Sequence, residues 1–416
     1  MLARRDFVKG GVSLITLGAG VNSLLKGTVA FARANPPDVM APYNGKILIL
    51  VQCAGGNDGL RTLIPLENSA YRSARPTTGI ADEEALPLES GFGLHPDLNG
   101  LKDLWDRGKL AVVQGAGYPN QNYSHFKSMA IWQYADPELR ALDGWLGRTL
   151  ADLEAEEHDP FQGFNIGSST PLSLRTPEVA VPSVRDPADY GFKLGGRPVT
   201  AEEERAATLV KLYEEYPSTA PFGVLLETTA ESAVSSSALL AEAGRAYEPA
   251  VAYPNDAFAT GLSVLAQAIV GGLGMRVGHI TLGGFDTHSA ENGQHDALME
   301  TLGDGLAAFH ADLEAHGLAE NVLVLTWSEF GRRVKENGNG GTDHGSASVM
   351  FALGDGVAQG IYGDPPSLTD LIDSGNLAYT TDFRRVYATV VERWFGAPSE
   401  QLLGDYWEPL GFLPAL

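Results

Sequence analysis

Five short apolar runs recur along the chain, and each is apolar at successive positions, not only at alternate ones. They cover residues 46–51, 110–113, 277–282, 322–327 and 349–353. A strand that is buried on both faces of a parallel sheet has this pattern, because neither face meets water. The five runs therefore predict the strands of a central sheet.

Longer stretches with apolar residues at helical spacing lie between these runs. They cover residues 96–107, 124–134, 201–213, 257–273 and 296–316. Strands that alternate with helices are typical of an α/β domain with a mainly parallel sheet. Residues 154–254 are less regular and rich in Pro, Ser, Thr and Glu, and we interpret them as an irregular insertion or cap.

The composition fits a soluble globular protein and excludes some binding partners. The chain has 416 residues, of which 44% are apolar and 19% charged, and its formal net charge is -23. A surface this acidic argues against binding nucleic acid or an anionic membrane through a broad face. An anionic substrate would need a local device such as a metal ion, a few arginines or a helix N-terminus.

The first residues resemble a targeting signal. Arg4 and Arg5 precede a weakly apolar, glycine-rich run at 10–25, which is too short to be a convincing membrane span, and 32–34 reads Ala-Arg-Ala. This pattern is similar to a twin-arginine signal, so we expect residues 1–34 to be a signal peptide and 35–416 a single domain. The protein would then pass the twin-arginine translocase to the periplasm or the exterior. Cys53 is alone, so no intrachain disulfide is expected.

Polar residues follow four of the predicted strands, at the edge where parallel sheets place their reactive groups. These residues are Asp58, then Ser124 with His125, then Asp286 with His288, and finally Glu329, Arg332 and Arg333, with Asp343 and His344 in the next loop. Asp286 and His288 are two apart in an extended segment, so both side chains can reach one cation. Carboxylates with imidazoles suit zinc, manganese or iron. Asp58 alone has an alternative interpretation as a helix cap or turn residue.

Ser124 has two interpretations of similar weight. A serine at a helix start is ordinarily a cap, but the positive potential there would also suit an attacking oxygen beside a phosphoryl or sulfuryl group. The chain has no Gly-x-Ser-x-Gly elbow around Ser124, which favours activation by a metal. We expect four further side chains to bind the substrate oxygens. They are Asn57, Asn122, Arg332 and Arg333.

Six motifs in this order resemble a known family. They are Gly55-Gly56-Asn57-Asp58-Gly59-Leu60, Tyr118-Pro119-Asn120, Ser124-His125-Phe126, Gly283-Gly284-Phe285-Asp286-Thr287-His288, Ser328-Glu329-Phe330-Gly331-Arg332-Arg333 and Thr342-Asp343-His344-Gly345. The chain resembles the twin-arginine-exported domain of unknown function 1501, which is similar to the alkaline phosphatase and sulfatase superfamily. That resemblance implies a three-layer αβα fold with a mainly parallel sheet and a site for one or two metal ions.

The resemblance also implies roles for individual residues. The first metal would be held by Asp286, His288 and His344, and Ser124 would be the nucleophile. A weaker second position would be formed by Asp58, Glu329, Ser124 and, as an open alternative, Asp343. Phe330 stands where the superfamily has a histidine ligand, which weakens that second position. A competing alignment instead makes Asp343 and His344 ligands of the second metal.

The sequence thus predicts an exported, metal-dependent hydrolase of phosphate or sulfate esters. The ester could be a small molecule or a polysaccharide, and zinc or manganese is the preferred ion, with calcium or iron as alternatives. Arg332 would hold the substrate anion, while His125 and His295 are open as general acids or spare ligands. The alternatives are a secreted, non-catalytic binding or assembly protein on a hydrolase scaffold and, less favoured, a phosphomutase.

Overall fold

The computed structural model describes residues 45–153, 161–179, 181–185, 208, 211, 236, 239–373 and 375–415. The predicted signal peptide and most of the predicted helix at 201–213 lie outside these residues. The strands are β1 Ile47–Ala54, β2 Leu63–Pro65, β3 Leu86–Pro87, β4 Phe92–Leu94, β5 Leu110–Gly117, β6 Gly163–Ile166, β7 Ser183–Val184, β8 Val277–Gly283, β9 Val322–Trp327, β10 Ser348–Leu353, β11 Gly360–Tyr362, β12 Leu371–Ile372, β13 Asn376–Leu377 and β14 Thr381–Asp382.

The α-helices of the described residues lie between and after these strands. Nine of them are α1 Gly59–Thr62, α2 Ser69–Ala74, α3 Asn99–Asp106, α4 His125–Tyr134, α5 Trp145–Asp152, α6 Ala257–Val270, α7 Glu291–Ala315, α8 Phe383–Arg393 and α9 Ser399–Leu403, and residues 239–246 are helical as well. None of them combines the length and the apolar character that a bilayer crossing requires.

One large sheet organises the molecule. Its strand order is β11-β5-β10-β9-β1-β8-β6-β7, and β14 pairs with β5 beside this path. Strand β10 runs antiparallel to both of its neighbours, whereas the other pairs are parallel. All five apolar runs are strands of this sheet, so the predicted mainly parallel sheet is confirmed.

Strand β1 shows why its sequence is apolar at successive positions. Ile47, Ile49 and Val51 pack on one side of the sheet, with helices α3, α6 and α7. Leu48 and Leu50 pack on the other side, with α4, α5, α8 and α9. Both faces of the sheet are therefore covered, which confirms the three-layer αβα arrangement.

Part of the predicted insertion at residues 154–254 belongs to the central sheet. Strands β6 and β7 fall within it, and β6 pairs with β8 while β7 extends the edge. Sequence analysis missed both strands, because runs of four and two residues are too short to show a pattern. The central sheet therefore continues into this part of the chain.

The register brings three strand ends to one edge of the sheet. Ala54 pairs with Gly283, and Gln52 pairs with Trp327, so β1, β8 and β9 end side by side. The loop after β1 then packs closely on its neighbours. A Cβ atom on Gly55 would lie 2.5 Å from the Asp286 nitrogen, and one on Gly56 would lie 2.4 Å from the Phe330 ring. Both glycines also have positive φ, so only glycine fits here without strain.

Candidate metal centre

Four side chains lie close together beyond these strand ends: His125, Asp286, His288 and His344. The ligand atoms of His125, Asp286 and His344 all lie within 4.8 Å of one another, and His288 contacts Asp286 and His344. The Oδ1 atom of Asp286 lies 3.1 Å from His288 Nε2 and 3.2 Å from His344 Nε2. Its Oδ2 atom lies 3.6 Å from His125 Nε2. The structure thus brings together the three predicted ligands of the first metal and adds His125, which the sequence left open. We call these four residues the candidate metal centre.

The other ring nitrogen of each histidine is held by an acceptor. His125 Nδ1 lies 2.8 Å from Glu329 Oε1, and His344 Nδ1 lies 2.9 Å from the Tyr123 carbonyl oxygen. His288 Nδ1 lies 3.4 Å from Asp343 Oδ1. Carbonyl and carboxylate oxygens accept hydrogen bonds, so the Nδ1 atoms of His125 and His344 carry the hydrogen and their Nε2 atoms present lone pairs. This arrangement is typical of histidines that bind a metal through Nε2.

The Nε2 lone pairs face atoms that cannot satisfy them. The Nε2 atoms of His288 and His344 are only 2.9 Å apart. When His288 carries its hydrogen on Nδ1, toward Asp343, its Nε2 lone pair meets that of His344, and the His125 lone pair faces the Asp286 carboxylate. A proton or a cation at this point removes that repulsion. Three imidazoles and one carboxylate are a donor set that suits a divalent transition metal, zinc in particular.

The electrostatics favour the forms that bind metal. Partial burial raises the pKa of Asp286, but the hydrogen bond and the positive charge of Arg332 outweigh this and hold the pKa below its ordinary value. Burial lowers the pKa of the His344 imidazole and keeps that ring neutral. Metal ligands must be deprotonated, so both shifts make the centre ready for a cation near neutral pH.

Arg332 lies behind the centre and not in the open site. Its side chain is fully buried and donates to Asp286 Oδ1 at 2.7 Å. It also donates to the carbonyl oxygens of Gly56, Phe285 and Thr342, so it joins three loops. The prediction that Arg332 holds a substrate anion does not fit this position, because the guanidinium cannot reach solvent. It positions Asp286 instead.

The neighbouring Arg333 does face the open site. It lines a pocket of about 290 Å³ together with Tyr123, His288, Asp343 and His344. Its side chain is partly buried, and the Nε atom itself is buried without a hydrogen-bond partner within the described residues. The predicted role of Arg333 in binding substrate oxygens is therefore compatible with its position.

The described contacts of Asp58 are with residues outside the candidate metal centre. It is fully buried, caps α1 by accepting from the Leu60 and Arg61 nitrogens, and forms an ion pair with Arg75. Burial raises the pKa of Asp58, but the charge and hydrogen bonds of Arg75 outweigh this and lower the pKa to about 2. The alternative interpretation of Asp58 as a helix cap matches this geometry, and its predicted role as a metal ligand does not.

The predicted second metal position is consequently not assembled. Glu329 contacts His125 and accepts a hydrogen bond from the Gly55 nitrogen, and Asp343 contacts His288. The Phe330 ring packs against the His125 ring at 4.9 Å and against the His344 ring at 4.6 Å. An apolar ring thus stands where the superfamily pattern has an imidazole. Glu329 and Asp343 orient histidines, which for Asp343 is one of the two roles that the sequence allowed.

Neither predicted asparagine is shown contacting the pocket. Asn57 is buried, and its Oδ1 atom lies 3.0 Å from His295 Nε2. Asn122 accepts from the Ser124 nitrogen at 3.0 Å, which shapes the turn before α4. Asn57 therefore does not fit its predicted role in binding substrate, and the described contacts of Asn122 are those of a turn residue.

Ser124 occupies the N-cap position of α4 but makes no side-chain capping bond, and it is exposed.

A second group of potential ligands has the distances but not the chemistry of a metal site. His95, His295 and Asp296 lie close enough to share an ion. However, Arg61 already forms an ion pair with Asp296, and His95 accepts from the Asp97 nitrogen while its other nitrogen lies 3.0 Å from Asp296. A cation would compete with the Arg61 guanidinium, so this group is a buried ion-pair network. His295, which the sequence left open, belongs to it.

A family model described as a protein of unknown function (DUF1501) matches residues 110–404, most of the chain. The chain belongs to this family. Among curated proteins, none matches the DUF1501 protein described here.

Several solved structures are similar to this DUF1501 protein. The sulfatase PsFucS1 from Pseudoalteromonas sp. is 13% identical, and the alignment covers 89% of this chain and 72% of that one with a TM-score of 0.40. The lipoteichoic acid synthase LtaP from Listeria monocytogenes is 9% identical over 80% and 70%, with a TM-score of 0.30. The phosphonate monoester hydrolase SpPMH from Silicibacter pomeroyi is 9% identical over 87% and 77%, with a TM-score of 0.29.

Sequence reasoning missed several residues that shape the DUF1501 site. Tyr123 acts through its carbonyl oxygen, which leaves no trace in the choice of side chain. Glu291 is fully buried and accepts from the hydroxyls of Thr287 and Thr342, so it connects the loop of Asp286 and His288 to that of Asp343 and His344. A glutamate in the first turn of a helix ordinarily indicates a favourable dipole contact, which hid this role.

Proposed function

We propose that this protein is a metal-dependent hydrolase of phosphate or sulfate esters that acts outside the cytoplasm. One observation carries the proposal: the Nε2 atoms of three histidines lie within 3.6 Å of the Asp286 carboxylate, while each Nδ1 faces an oxygen acceptor. A polar cluster without a ligand would be expected to satisfy its own lone pairs. This cluster leaves them facing one another.

The donor set favours zinc, with manganese or iron as alternatives. Three imidazole nitrogens are poor ligands for calcium, which prefers oxygen, so the calcium alternative loses support. We infer one ion at this position. When bound, a divalent cation would supply Lewis acidity toward an ester oxygen.

Two further residues have proposed roles in the reaction. The Ser124 hydroxyl is exposed, is not used as a cap, and lies directly before His125 at the start of α4. We propose it as the nucleophile, helped by the positive potential of the helix N-terminus. Arg333 would hold the non-bridging oxygens from the other side of the pocket, with the fork of donors that guanidinium offers. His125 would be a ligand, and its Nε2 atom could not then also be the general acid.

The test combines metal analysis with ester hydrolysis by the purified protein. We expect close to one zinc ion per chain after loading, and hydrolysis of aryl sulfate or aryl phosphate esters. His344→Ala should lose the metal, and Ser124→Ala should retain it but lose at least 100-fold in kcat, since a nucleophile carries the covalent step. His316→Ala and Ser367→Ala are matched controls in contact with neither the metal centre nor the pocket. Absence of stoichiometric metal, or full activity of Ser124→Ala, would contradict the proposal.

A binding or assembly protein without turnover is the second candidate, and a specific observation favours it. The second metal position is not assembled, because Asp58 is paired with Arg75 and Phe330 replaces an imidazole. Such a protein would bind one zinc ion and an anion at Arg333 but hydrolyse neither sulfate nor phosphate esters. Anion binding measured by calorimetry, together with the activity assay, separates the two candidates.

Export is part of the proposal and rests on the sequence of residues 1–34. We propose that the twin-arginine translocase carries the folded, metal-loaded protein to the periplasm or beyond. A fusion of the full chain to a periplasmic reporter should lose its signal when Arg4 and Arg5 are both changed to Lys. Export of that variant at the normal level would overturn this part.

A further inference from the structure

The charged groups around the candidate metal centre make the binding of additional negative charge electrostatically unfavourable. Four carboxylates either belong to the candidate metal centre, contact one of its residues or contact a residue that lines the pocket. Two guanidiniums lie among them. The carboxylates are Asp286, Glu329, Asp343 and Asp373, and the guanidiniums are Arg332 and Arg333. These described groups have a net charge of about two negative units, which one divalent cation would neutralise.

The two guanidiniums are not equivalent. Arg332 is fully buried, and its positive charge is balanced by Asp286 at 2.7 Å. Arg333 lines the pocket and is only partly buried. Within the described part of the chain, Arg333 is therefore the guanidinium available to an incoming anion in this pocket.

Two acids limit what Arg333 can compensate. Asp343 lines the same pocket, where it contacts His288 and Asn337. Asp373 accepts a hydrogen bond from the hydroxyl of Tyr123 at 2.9 Å, and Tyr123 lines the pocket. Any charge on a ligand beyond one unit would face these carboxylates in a protein whose net charge is already -23.

We propose that the site selects tetrahedral esters with a single negative charge, which are sulfate monoesters and phosphate diesters, over the doubly charged phosphate monoesters. This inference rests on the proposed function and narrows its substrate class. A second uncompensated charge within a few ångströms of a carboxylate in a partly buried site weakens binding by roughly 10-fold to 100-fold. Sulfate monoesters and phosphate diesters share the same charge and shape, so the metal centre alone does not separate them.

A binding experiment tests the inference without turnover. Zinc-loaded protein is titrated by calorimetry at pH 8 with methyl sulfate and dimethyl phosphate as singly charged probes, and with phenylphosphonate as a doubly charged probe. We expect at least one singly charged probe to bind at least 10-fold more tightly than phenylphosphonate. Equal or tighter binding of phenylphosphonate would overturn the proposal, as would a preference that is unchanged in Arg333→Gln.

A matched pair of variants tests the source of the selectivity. Asp373→Asn retains a side chain that can bond to the Tyr123 hydroxyl and removes one charge, so it should shift the preference toward phenylphosphonate by about 3-fold with unchanged zinc content. The effect is modest because Asp373 is exposed and solvent screens its charge. Asp370→Asn, an exposed acid three residues away, is the control and should not move the preference. A larger shift in the control would contradict the charge argument.

Turnover assays show which of the two singly charged esters, sulfate monoester or phosphate diester, is the substrate. They also separate the charge selectivity from the proposed hydrolase activity. p-Nitrophenyl sulfate and bis(p-nitrophenyl) phosphate represent the singly charged esters, and p-nitrophenyl phosphate the doubly charged one. Turnover of either singly charged ester at a higher kcat/KM than p-nitrophenyl phosphate supports the inference and says which source is used. If no ester is hydrolysed but the binding preference holds, the proposed hydrolase fails and the charge selectivity stands. A preference for p-nitrophenyl phosphate would overturn the charge selectivity and leave the hydrolase intact.

Discussion

The Asp58→Asn substitution separates a structural carboxylate from a metal ligand. Asp58 is fully buried against Arg75, whose Nη2 atom lies 3.1 Å from Asp58 Oδ1. Asparagine keeps an acceptor for the cap of α1 but leaves the Arg75 charge buried without its partner. The lowering of the Asp58 pKa from 3.8 to about 2 corresponds to roughly 2 kcal/mol. Removing one partner of a buried pair generally costs about 3–5 kcal/mol. We therefore expect a loss of about 2–5 kcal/mol in the free energy of unfolding.

Urea unfolding at pH 7 measures this loss of stability. Metal analysis of the loaded Asp58→Asn variant measures its zinc content. Zinc content should remain close to that of the unchanged protein. Because the pKa of Asp58 is depressed, its contribution is present above pH 3.8 and is lost as the pH falls through 2, so the two proteins should converge in acid.

Asp286→Asn is the matched control and should behave in the opposite way. Asp286 is half-exposed and faces the three imidazoles, so this variant should lose zinc. The metal-free protein should lose less stability than Asp58→Asn does, because solvent reaches Asp286 and the buried Arg332 keeps four carbonyl acceptors. If Asp58→Asn instead lost zinc and retained its stability, our assignment of the two carboxylates would be refuted.

Three further predictions follow from single contacts. Burial lowers the pKa of His279 to about 3, so the neutral ring stabilises the fold fully above pH 6.5; at pH 5 the protein should lose about 2 kcal/mol relative to His279→Gln, a difference that urea unfolding at pH 8 and pH 5 would show or exclude. Glu291→Gln should weaken zinc binding by about 10-fold in a chelator competition, because both ligand loops bond to this carboxylate, and unchanged affinity would remove that role. Gly56→Ala should lower the thermal midpoint by several degrees, since its Cβ would meet the Phe330 ring, and an unshifted midpoint would show that the loop relaxes freely.

Much of the fold follows from local pattern. The strands at 47–54 and 322–327 are apolar on both faces because both faces are covered, and their ends mark where the functional loops begin. The same logic placed Asp286, His288 and His344 at one edge. These residues could be found because each of them follows a strand or a glycine-rich turn, and because histidine is rare in the chain.

The errors arose where long-range partners decide a residue's role. Asp58 and Arg75 are 17 residues apart, and nothing in the intervening sequence shows that a buried arginine returns to the carboxylate. Arg332 and Arg333 are neighbours with opposite environments, and which one is buried depends on a bridge between Arg332 and His344 that only the tertiary structure shows. A pattern of residue types identifies the candidate chemistry, but the packing of the loops selects which members face the pocket.

X-ray absorption of the zinc-loaded protein tests the central claim most directly. We expect a coordination shell of three imidazole nitrogens and one carboxylate oxygen at about 2.0–2.2 Å, with room for one further oxygen. His125→Ala and His288→Ala should each remove one nitrogen from that shell. A shell made of oxygen alone, or one that is unchanged in both variants, would contradict the account.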